Sequence, residues 1–112
     1  MDCIFCSIIN GDIPSTKVYE DDTILAFKDI APMAKVHIVV IPKEHICCAD
    51  KITEENSHLV AHIFEKIPQI AKSAGITNGY RIVNNCGPDA DQSVKHIHFH
   101  ILGGEKLSAK LC

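Results

Sequence analysis

The chain has 112 residues, 46% of them apolar and 22% charged, which is the composition of one soluble globular domain. A net charge of -3 gives no sign of the basic surface that binds duplex nucleic acid, and no apolar run approaches the roughly 18 to 20 residues that span a membrane. Residues 1–6 lack the charged and apolar regions of a signal peptide. We therefore expect a cytoplasmic protein whose six cysteines are free thiols or metal ligands.

The first half of the chain predicts a short helix followed by three strands. Apolar residues recur at helical spacing from Cys3 to Asn10, where Gly11 ends the pattern. Two short β-prone runs, 17–20 and 24–27, flank a polar turn and predict a hairpin. The β-branched run 37–41 predicts a central strand that ends at Pro42.

The second half predicts one long helix and two further strands. Thr53 is a suitable N-cap for an amphipathic helix that extends to Gly75. Residues 80–83 predict a strand, and 96–102 predict the last strand, before a tail over 105–112. Because strands stand at both ends with the long helix between them, the predicted fold is α+β with an antiparallel sheet, in a single domain over 1–112.

Three histidines alternate with apolar residues in the last predicted strand: His96, His98 and His100. Successive strand side chains point to opposite faces, so the three rings are expected on one open face, about 6.5 to 7 Å apart. Imidazole is suited to nucleophilic attack, proton transfer and metal ligation near neutral pH. The alternation therefore indicates a functional site, since a solvent-facing strand is built more simply from Thr, Lys or Glu.

Two cysteines separated by two residues, Cys3 and Cys6, indicate a metal site near the N-terminus. Tetrahedral zinc needs four ligands, and His45 and His96 are candidates for the other two. Alternatively, the two cysteines are small buried apolar residues, as free cysteines often are. A zinc ion at this place would be structural and would fasten the N-terminal segment to the histidine strand.

The histidine strand and its flanks resemble the histidine triad (HIT) superfamily. The triad is followed by Ile101-Leu102-Gly103-Gly104, and Gln92-Ser93-Val94 before it is similar to the nucleotide-binding Hint branch. Three further segments carry the same resemblance: Ile4-Phe5-x-x-Ile8-Ile9, Phe27-x-Asp29-Ile30 and Val40-Ile41-Pro42-Lys43-x-His45-Ile46. The resemblance extends over residues 3–104.

This resemblance implies a purine nucleoside phosphoramidase that also cleaves acyl-AMP, with AMP or GMP conjugates as substrates. The reaction would pass through a covalent nucleotidyl-histidine and would need no cofactor. The implied fold is a five-stranded antiparallel sheet with two helices, doubled to a ten-stranded sheet in a homodimer. In zinc-binding members of the family, the residues that match Cys3, Cys6, His45 and His96 hold the ion.

The resemblance also implies a role for each residue of the site. His98 would be the nucleophile, His100 would contact the phosphate, and His96 would support the nucleophile. Charge that develops on the phosphate oxygens separately calls for a protonated His100 as one donor. Ser93 would lie beside the leaving group. Gln92 and Asn85 would contact the phosphate, and Asp29 would hold the ribose hydroxyls, although an Asp at this place also suits turn initiation. The base pocket would be formed by Ile4, Phe5, Ile8, Phe27 and Ile30, which without the family would simply be core residues.

Asp91 departs from the Hint pattern, because the branch usually has a glycine at this place. A carboxylate there would repel the substrate phosphate, and we expect it to exclude a backbone shape that needs glycine. An alternative function is therefore a purine nucleotide-binding regulatory protein with little turnover. A third and less favoured interpretation is a zinc module in which all three triad histidines bind metal.

Overall fold

The computed structural model describes residues 3–110 and contains one five-stranded antiparallel sheet and two α-helices, which confirms the predicted fold class. The elements in chain order are α1 Ile4–Ile9, β1 Lys17–Glu20, β2 Ile24–Lys28, β3 Val36–Pro42, α2 Ser57–Ser73, β4 Tyr80–Val83 and β5 Phe99–Gly103. The strand order is β1-β2-β3-β5-β4, so β3 is central as predicted. Within the described part of the chain, no helix is long and apolar enough to cross a membrane. The last two residues of the predicted tail lie outside the described residues.

The central strand β3 is apolar on both sides because a helix covers each face of the sheet. Ile38 and Val40 belong to the core on the α2 side, whereas Val39 and Ile41 belong to the core on the α1 side. A strand buried on both faces has a nearly continuous β-branched sequence rather than an alternating one. This explains why residues 38–41 show no polar alternation.

Helix α2 packs its apolar stripe on the first of these cores. The stripe consists of Leu59, Ile63, Ile67 and Ile70 together with Ala71. Full burial of an isoleucine contributes roughly 1.5 to 3 kcal/mol, so this stripe holds the helix on the sheet. Gly75 has φ +86 directly after the C-cap Ala74, which confirms the predicted end of the helix.

The predicted N-cap of α2 was wrong by three residues. Thr53 begins a turn, in which its carbonyl accepts from the amides of Asn56 and Ser57. The cap position is Asn56, whose side-chain oxygen accepts from the amide of Thr53 at 2.7 Å and therefore does not cap the helix. Two polar residues that both suit an N-cap stand close together here, and the sequence does not distinguish them.

The last strand begins three residues later than predicted, at Phe99 instead of residue 96. Strand β3 ends at Pro42, which has no amide hydrogen for a further ladder bond. The amide of Ile97 instead donates to the carbonyl of Ile46. The predicted alternation is nevertheless confirmed, because Ile97, Phe99 and Ile101 all lie in the core on the α2 side.

Candidate active site

Helix α1 covers the face of the sheet that carries the histidines. Its residues Phe5 and Ile8 pack with Phe27 and the neighbouring β-sheet residues in a second, smaller core. The ring of Phe5 stands edge-on to that of His98, with 5.1 Å between the ring centroids. His96 is fully buried and His98 is only 3% exposed, so the expectation of an open histidine face was wrong. The reason is that α1 buries its own apolar side against this face.

The five residues of the predicted base pocket differ in their exposure. Phe5, Ile8 and Phe27 are buried in the core below α1. Ile4 is half-exposed, and Ile30 is completely exposed beyond the end of β2. Three of the five residues are therefore core residues, and the other two present apolar surface to solvent.

The tautomer of His98 is fixed by a backbone hydrogen bond. Its Nδ1 lies 2.7 Å from the carbonyl oxygen of His96, and only an N–H can donate to a carbonyl. The proton of a neutral ring is therefore on Nδ1, which leaves the lone pair of Nε2 free. Asn84 supports this segment, because its Nδ2 donates to the carbonyl of His98 at 2.9 Å. Burial lowers the pKa of His98, so the ring is neutral near pH 7.

His100 is linked to His37, which lies on the neighbouring strand β3. The amide of Met33 donates to Nδ1 of His37, so a neutral His37 carries its proton on Nε2. That Nε2 lies 2.8 Å from Nδ1 of His100 and donates to it. The ring proton of a neutral His100 is therefore on Nε2, and this N–H can donate to a ligand.

His100 is neutral rather than protonated, which corrects the expectation of a charged ring. Burial, together with the neighbouring rings of His98 and His37, lowers the pKa of His100 to about 4. Burial also lowers the pKa of His37, although Asp29 acts in the opposite direction. As a neutral ring with its proton on Nε2, His100 is still a hydrogen-bond donor.

The polar residues predicted to bind nucleotide are partly engaged within the chain. Gln92 donates both amide hydrogens to the carbonyls of Cys47 and Val94, so none is left for a phosphate. This corrects the predicted phosphate contact, because the side chain instead joins two loops. Asn85 donates one amide hydrogen to the carbonyl of Ala90, and its second amide hydrogen remains available. Ser93 is exposed in the same loop.

Asp29 makes the turn that we had considered as its alternative role. Its Oδ1 accepts from the amide of Ala31 at 2.7 Å, which is an Asx turn at the end of β2. Its Oδ2 lies 3.5 Å from Nε2 of His37. One carboxylate oxygen is thus used in the turn, and the other faces the histidine pair.

Asp91 adopts the backbone conformation that we had expected it to exclude. Its φ of 59° and ψ of 43° lie in the left-handed region. Asp tolerates this region better than most residues because its short side chain bonds locally, so the glycine-like shape is retained at a modest cost. The side chain is exposed, and its charge remains close to the loop that carries Asn85.

The four predicted zinc ligands converge on one point. The Sγ of Cys3 and Nδ1 of His96 are 3.4 Å apart, as are Sγ of Cys6 and Nδ1 of His45. The two histidine Nδ1 atoms are 3.2 Å apart. Tetrahedral zinc, with bonds of about 2.3 Å to sulfur and 2.0 to 2.1 Å to nitrogen, places its ligands about 3.3 to 3.8 Å from one another. The donor set therefore fits this ion.

The hydrogen bond of His96 favours the same interpretation, and the thiol of Cys6 shows what a bound ion would change. His96 donates from Nε2 to the carbonyl of Pro42 at 2.8 Å, so its Nδ1 presents a lone pair to the cluster. Burial, followed by the hydrogen bond and charge of Cys3, raises the pKa of the Cys6 thiol. A bound cation would reverse that effect, because it stabilises both thiolates.

Comparison with known proteins agrees with this geometry. The family model described as the scavenger mRNA decapping enzyme C-terminal binding domain matches residues 2–110. A histidine triad protein from Clostridium difficile is 52% identical and superposes with a TM-score of 0.94, covering 99% of this chain and 97% of that one. The chain belongs to the histidine triad (HIT) superfamily. A solved HIT family hydrolase from Clostridium thermocellum is 43% identical, with a TM-score of 0.95 and coverage of 99% and 97%.

Other relatives include two proteins whose names mention zinc. A 14 kDa zinc-binding protein from Brassica juncea is 43% identical over 109 residues, which is 96% of each chain. A Zn-bound histidine triad family protein from Mycobacterium smegmatis is 35% identical, with a TM-score of 0.80 and coverage of 98% of this chain and 82% of that one. An uncharacterized HIT-like protein from Synechococcus elongatus is 48% identical over 107 residues, covering 96% and 94%.

Proposed function

We propose that this HIT protein is a purine nucleoside phosphoramidase that cleaves the phosphorus–nitrogen bond of AMP–amine or GMP–amine conjugates, and also acyl-AMP. The observation that carries the proposal is the hydrogen bond from Nδ1 of His98 to the carbonyl of His96. It leaves an uncharged Nε2 with a free lone pair, which attacks phosphorus without prior deprotonation.

The reaction divides into two displacements at phosphorus. The lone pair of His98 Nε2 forms a bond to phosphorus, the phosphorus–nitrogen bond breaks, and the amine leaves with its electron pair. The amine leaves well only when it gains a proton, which would come from the Ser93 hydroxyl or be relayed through the Nε2–H of His100, and the donor would regain this proton from the water that attacks in the second displacement. Water then attacks the phosphorus of nucleotidyl-His98, which releases the nucleoside monophosphate and restores the neutral ring.

The substrate phosphate would reach His98 by way of His100. The two ring centroids are 5.0 Å apart, and His100 is only partly buried. The Nε2–H of His100 supplies one donor for the developing negative charge on the phosphate oxygens. The remaining amide hydrogen of Asn85 would supply another, and the free oxygen of Asp29 would accept from the ribose hydroxyls.

The burial of His98 favours the second candidate, a purine nucleotide-binding protein that turns over little. A ring that is 3% exposed presents little of its Nε2 to an incoming substrate. The exposed carboxylate of Asp91 adds repulsion for a phosphate. The two candidates share the site and differ only in whether His98 becomes nucleotidylated.

The cluster of Cys3, Cys6, His45 and His96 would hold a structural zinc ion. The ion would supply cross-links between the N-terminal segment, the loop after β3 and the start of the histidine segment. Because His96 would be a ligand through its side chain, the ion would also steady the carbonyl that accepts from His98. The chain's own groups carry out the reaction as proposed.

A homodimer with a ten-stranded sheet is part of the same proposal. Strand β4 is an edge of the sheet, and its residues are exposed or only partly buried. Edge strands with unpaired backbone groups are usually covered, and pairing with a second copy is one way to cover them.

The decisive experiment measures AMP release from a fluorogenic adenosine phosphoramidate. We expect His98→Ala to lose at least about 10³-fold in kcat, because it removes the nucleophile. His58→Ala, at an exposed position of α2, is the matched control and should keep full activity. Tight AMP binding without turnover in the unmodified protein would favour the binding protein, and full release by His98→Ala would overturn the covalent mechanism.

A further inference from the structure

A second group of metal-binding side chains lies apart from the histidine site. The Sγ of Cys48, a carboxylate oxygen of Asp50 and the Sγ of Cys86 are all within 4.8 Å of one another. Both cysteines are half-buried, and Asp50 is exposed. Within residues 3–110, no hydrogen bond or ion pair engages these three side chains, so their donor atoms are free for a ligand.

We propose that Cys48, Asp50 and Cys86 form a second metal site, which binds a thiophilic divalent cation such as zinc with water as its fourth ligand. Zinc takes thiolate and carboxylate ligands at about 2.3 Å and 2.0 to 2.2 Å, so its ligand atoms stand about 3.4 to 3.8 Å apart. The three donor atoms lie within 4.8 Å of one another, so they already stand near this spacing. The nearby carboxylate favours a metal site over a disulfide between the two cysteines, because a disulfide would not involve a third side chain.

The site joins two loops that are already in contact. Cys48 directly precedes the 3-10 turn Ala49–Lys51, and Cys86 lies between β4 and β5. Between these same loops, Gln92 accepts from the amide of Gly87 at 2.9 Å and donates to the carbonyl of Cys47 at 2.8 Å. An ion on Cys48 and Cys86 would therefore strengthen an existing link rather than create one.

The position gives the ion a consequence for the histidine site. The loop with Cys86 also contains Asn85, and the loop with Cys48 follows His45. Fixing the two loops together would restrict the motion of Asn85. We therefore expect the second ion to raise the melting temperature and to change nucleotide affinity without being needed for bond cleavage.

The two proposed sites differ in ligand type, which makes them separable in one sample. The first offers two sulfur and two nitrogen atoms, whereas the second offers two sulfur atoms and oxygen. Cadmium-113 NMR distinguishes such sites, because the resonance position depends on the ligand atoms. The probe is the full chain, kept reduced with a phosphine that does not bind the metal and loaded with cadmium.

We expect two cadmium resonances from the unmodified chain. Cys48→Ser and Cys86→Ser should each remove the same one of the two, while Cys47→Ser, a neighbouring cysteine outside the cluster, should keep both. Asp50→Asn should weaken the second site at least about tenfold in competition with a chromophoric chelator. Far-UV circular dichroism of each metal-free variant separates a lost ligand from a lost fold.

Three results would overturn the second site. One is a single cadmium resonance from the unmodified chain. Another is a second resonance that persists in both Cys48→Ser and Cys86→Ser, or that Cys47→Ser removes as effectively. The third is an intact mass lower by two hydrogens in the purified chain before any reductant is added, with peptides containing Cys48 and Cys86 cross-linked, which would identify a disulfide instead.

Discussion

The Nε2 of His37 lies 2.8 Å from Nδ1 of His100 and sets the tautomer of that ring. Loss of this contact would let the proton of His100 move to Nδ1, which faces away from the proposed substrate. We expect His37→Phe to lower kcat about tenfold to a hundredfold, with a smaller change in KM, since a positioned donor typically contributes on that scale or above.

The matched control for this change is His58→Phe on the exposed surface of α2, which should leave kcat unaltered. His37→Gln should recover part of the activity, because its amide also donates a hydrogen bond. If His37→Phe retained full kcat while remaining folded, the tautomer of His100 would be irrelevant to the reaction.

The pH dependence of the reaction follows from the low pKa of His100. Because its pKa is lowered to about 4, the ring stays neutral well below the pH at which free imidazole is protonated. We expect kcat/KM for the phosphoramidate to hold down to about pH 5 and to fall only below it. A profile that already declines through pH 6.5 would show that an ordinary histidine controls the reaction.

The pattern of the last strand predicted which residues face the core, but it did not predict what covers the histidines. Strand periodicity places His98 and His100 on one face of the strand and Phe99 and Ile101 on the other face, whatever packs against each face. The cover is α1, whose position depends on packing between residues far apart in sequence. Periodicity contains no information about that contact.

The role of His37 was missed for a similar reason. It stands two residues before Val39, on the face of β3 that also carries the triad, and it is the polar residue next to an apolar run. Its pairing with His100 depends on the register between β3 and β5, in which Val39 is opposite His100. A sequence pattern does not specify register between distant strands. The four predicted zinc ligands do lie together. Of these, only the closeness of Cys3 and Cys6 follows from their spacing, because residues three apart in one helical turn are neighbours.

Asp21 provides a test of stability that is separate from the reaction. Although burial alone would raise it, the pKa of Asp21 is held below its ordinary value by hydrogen bonds from the His62 ring, the Tyr19 hydroxyl and backbone amides. The resulting stabilisation is fully present above the ordinary aspartate pKa near 4 and is lost as the pH falls below it. We expect Asp21→Asn to lower the free energy of unfolding by about 1 to 2 kcal/mol at pH 7.

Urea denaturation at pH 7 and at pH 3 measures this contribution. The difference between the unmodified chain and Asp21→Asn should shrink at the lower pH, because the unfolded chain then takes up a proton on this carboxyl group while the folded chain does not. Asp22→Asn, at the exposed neighbouring position, is the control and should change stability little at either pH. An equal difference at both values would mean that the charge of Asp21 is unimportant.

Removal of the proposed zinc ion should destabilise the fold. Without the ion, four ligands from three separate segments would no longer be joined. Because the unfolded chain has no preformed site for the ion, the free energy of metal binding would add to the stability of the folded chain. We expect chelation to cost more than about 1 kcal/mol, which lowers the melting temperature by roughly 4 °C or more in a chain of this size. Cys6→Ser should already have the lower melting temperature and should not respond to the chelator at this site.

Two substitutions of Asp91 separate its charge from its backbone conformation. Asp91→Asn removes the carboxylate and tolerates the left-handed backbone, so we expect kcat/KM to rise about threefold to tenfold through weaker repulsion of the phosphate. Asp91→Gly removes the same charge and also relieves the strained backbone, so it should add up to about 1 kcal/mol of stability that Asp91→Asn does not. Asp89→Asn, exposed in the same loop, controls for net charge alone. If neither Asp91 variant exceeded the unmodified chain in kcat/KM, then the carboxylate would point away from the substrate throughout the reaction.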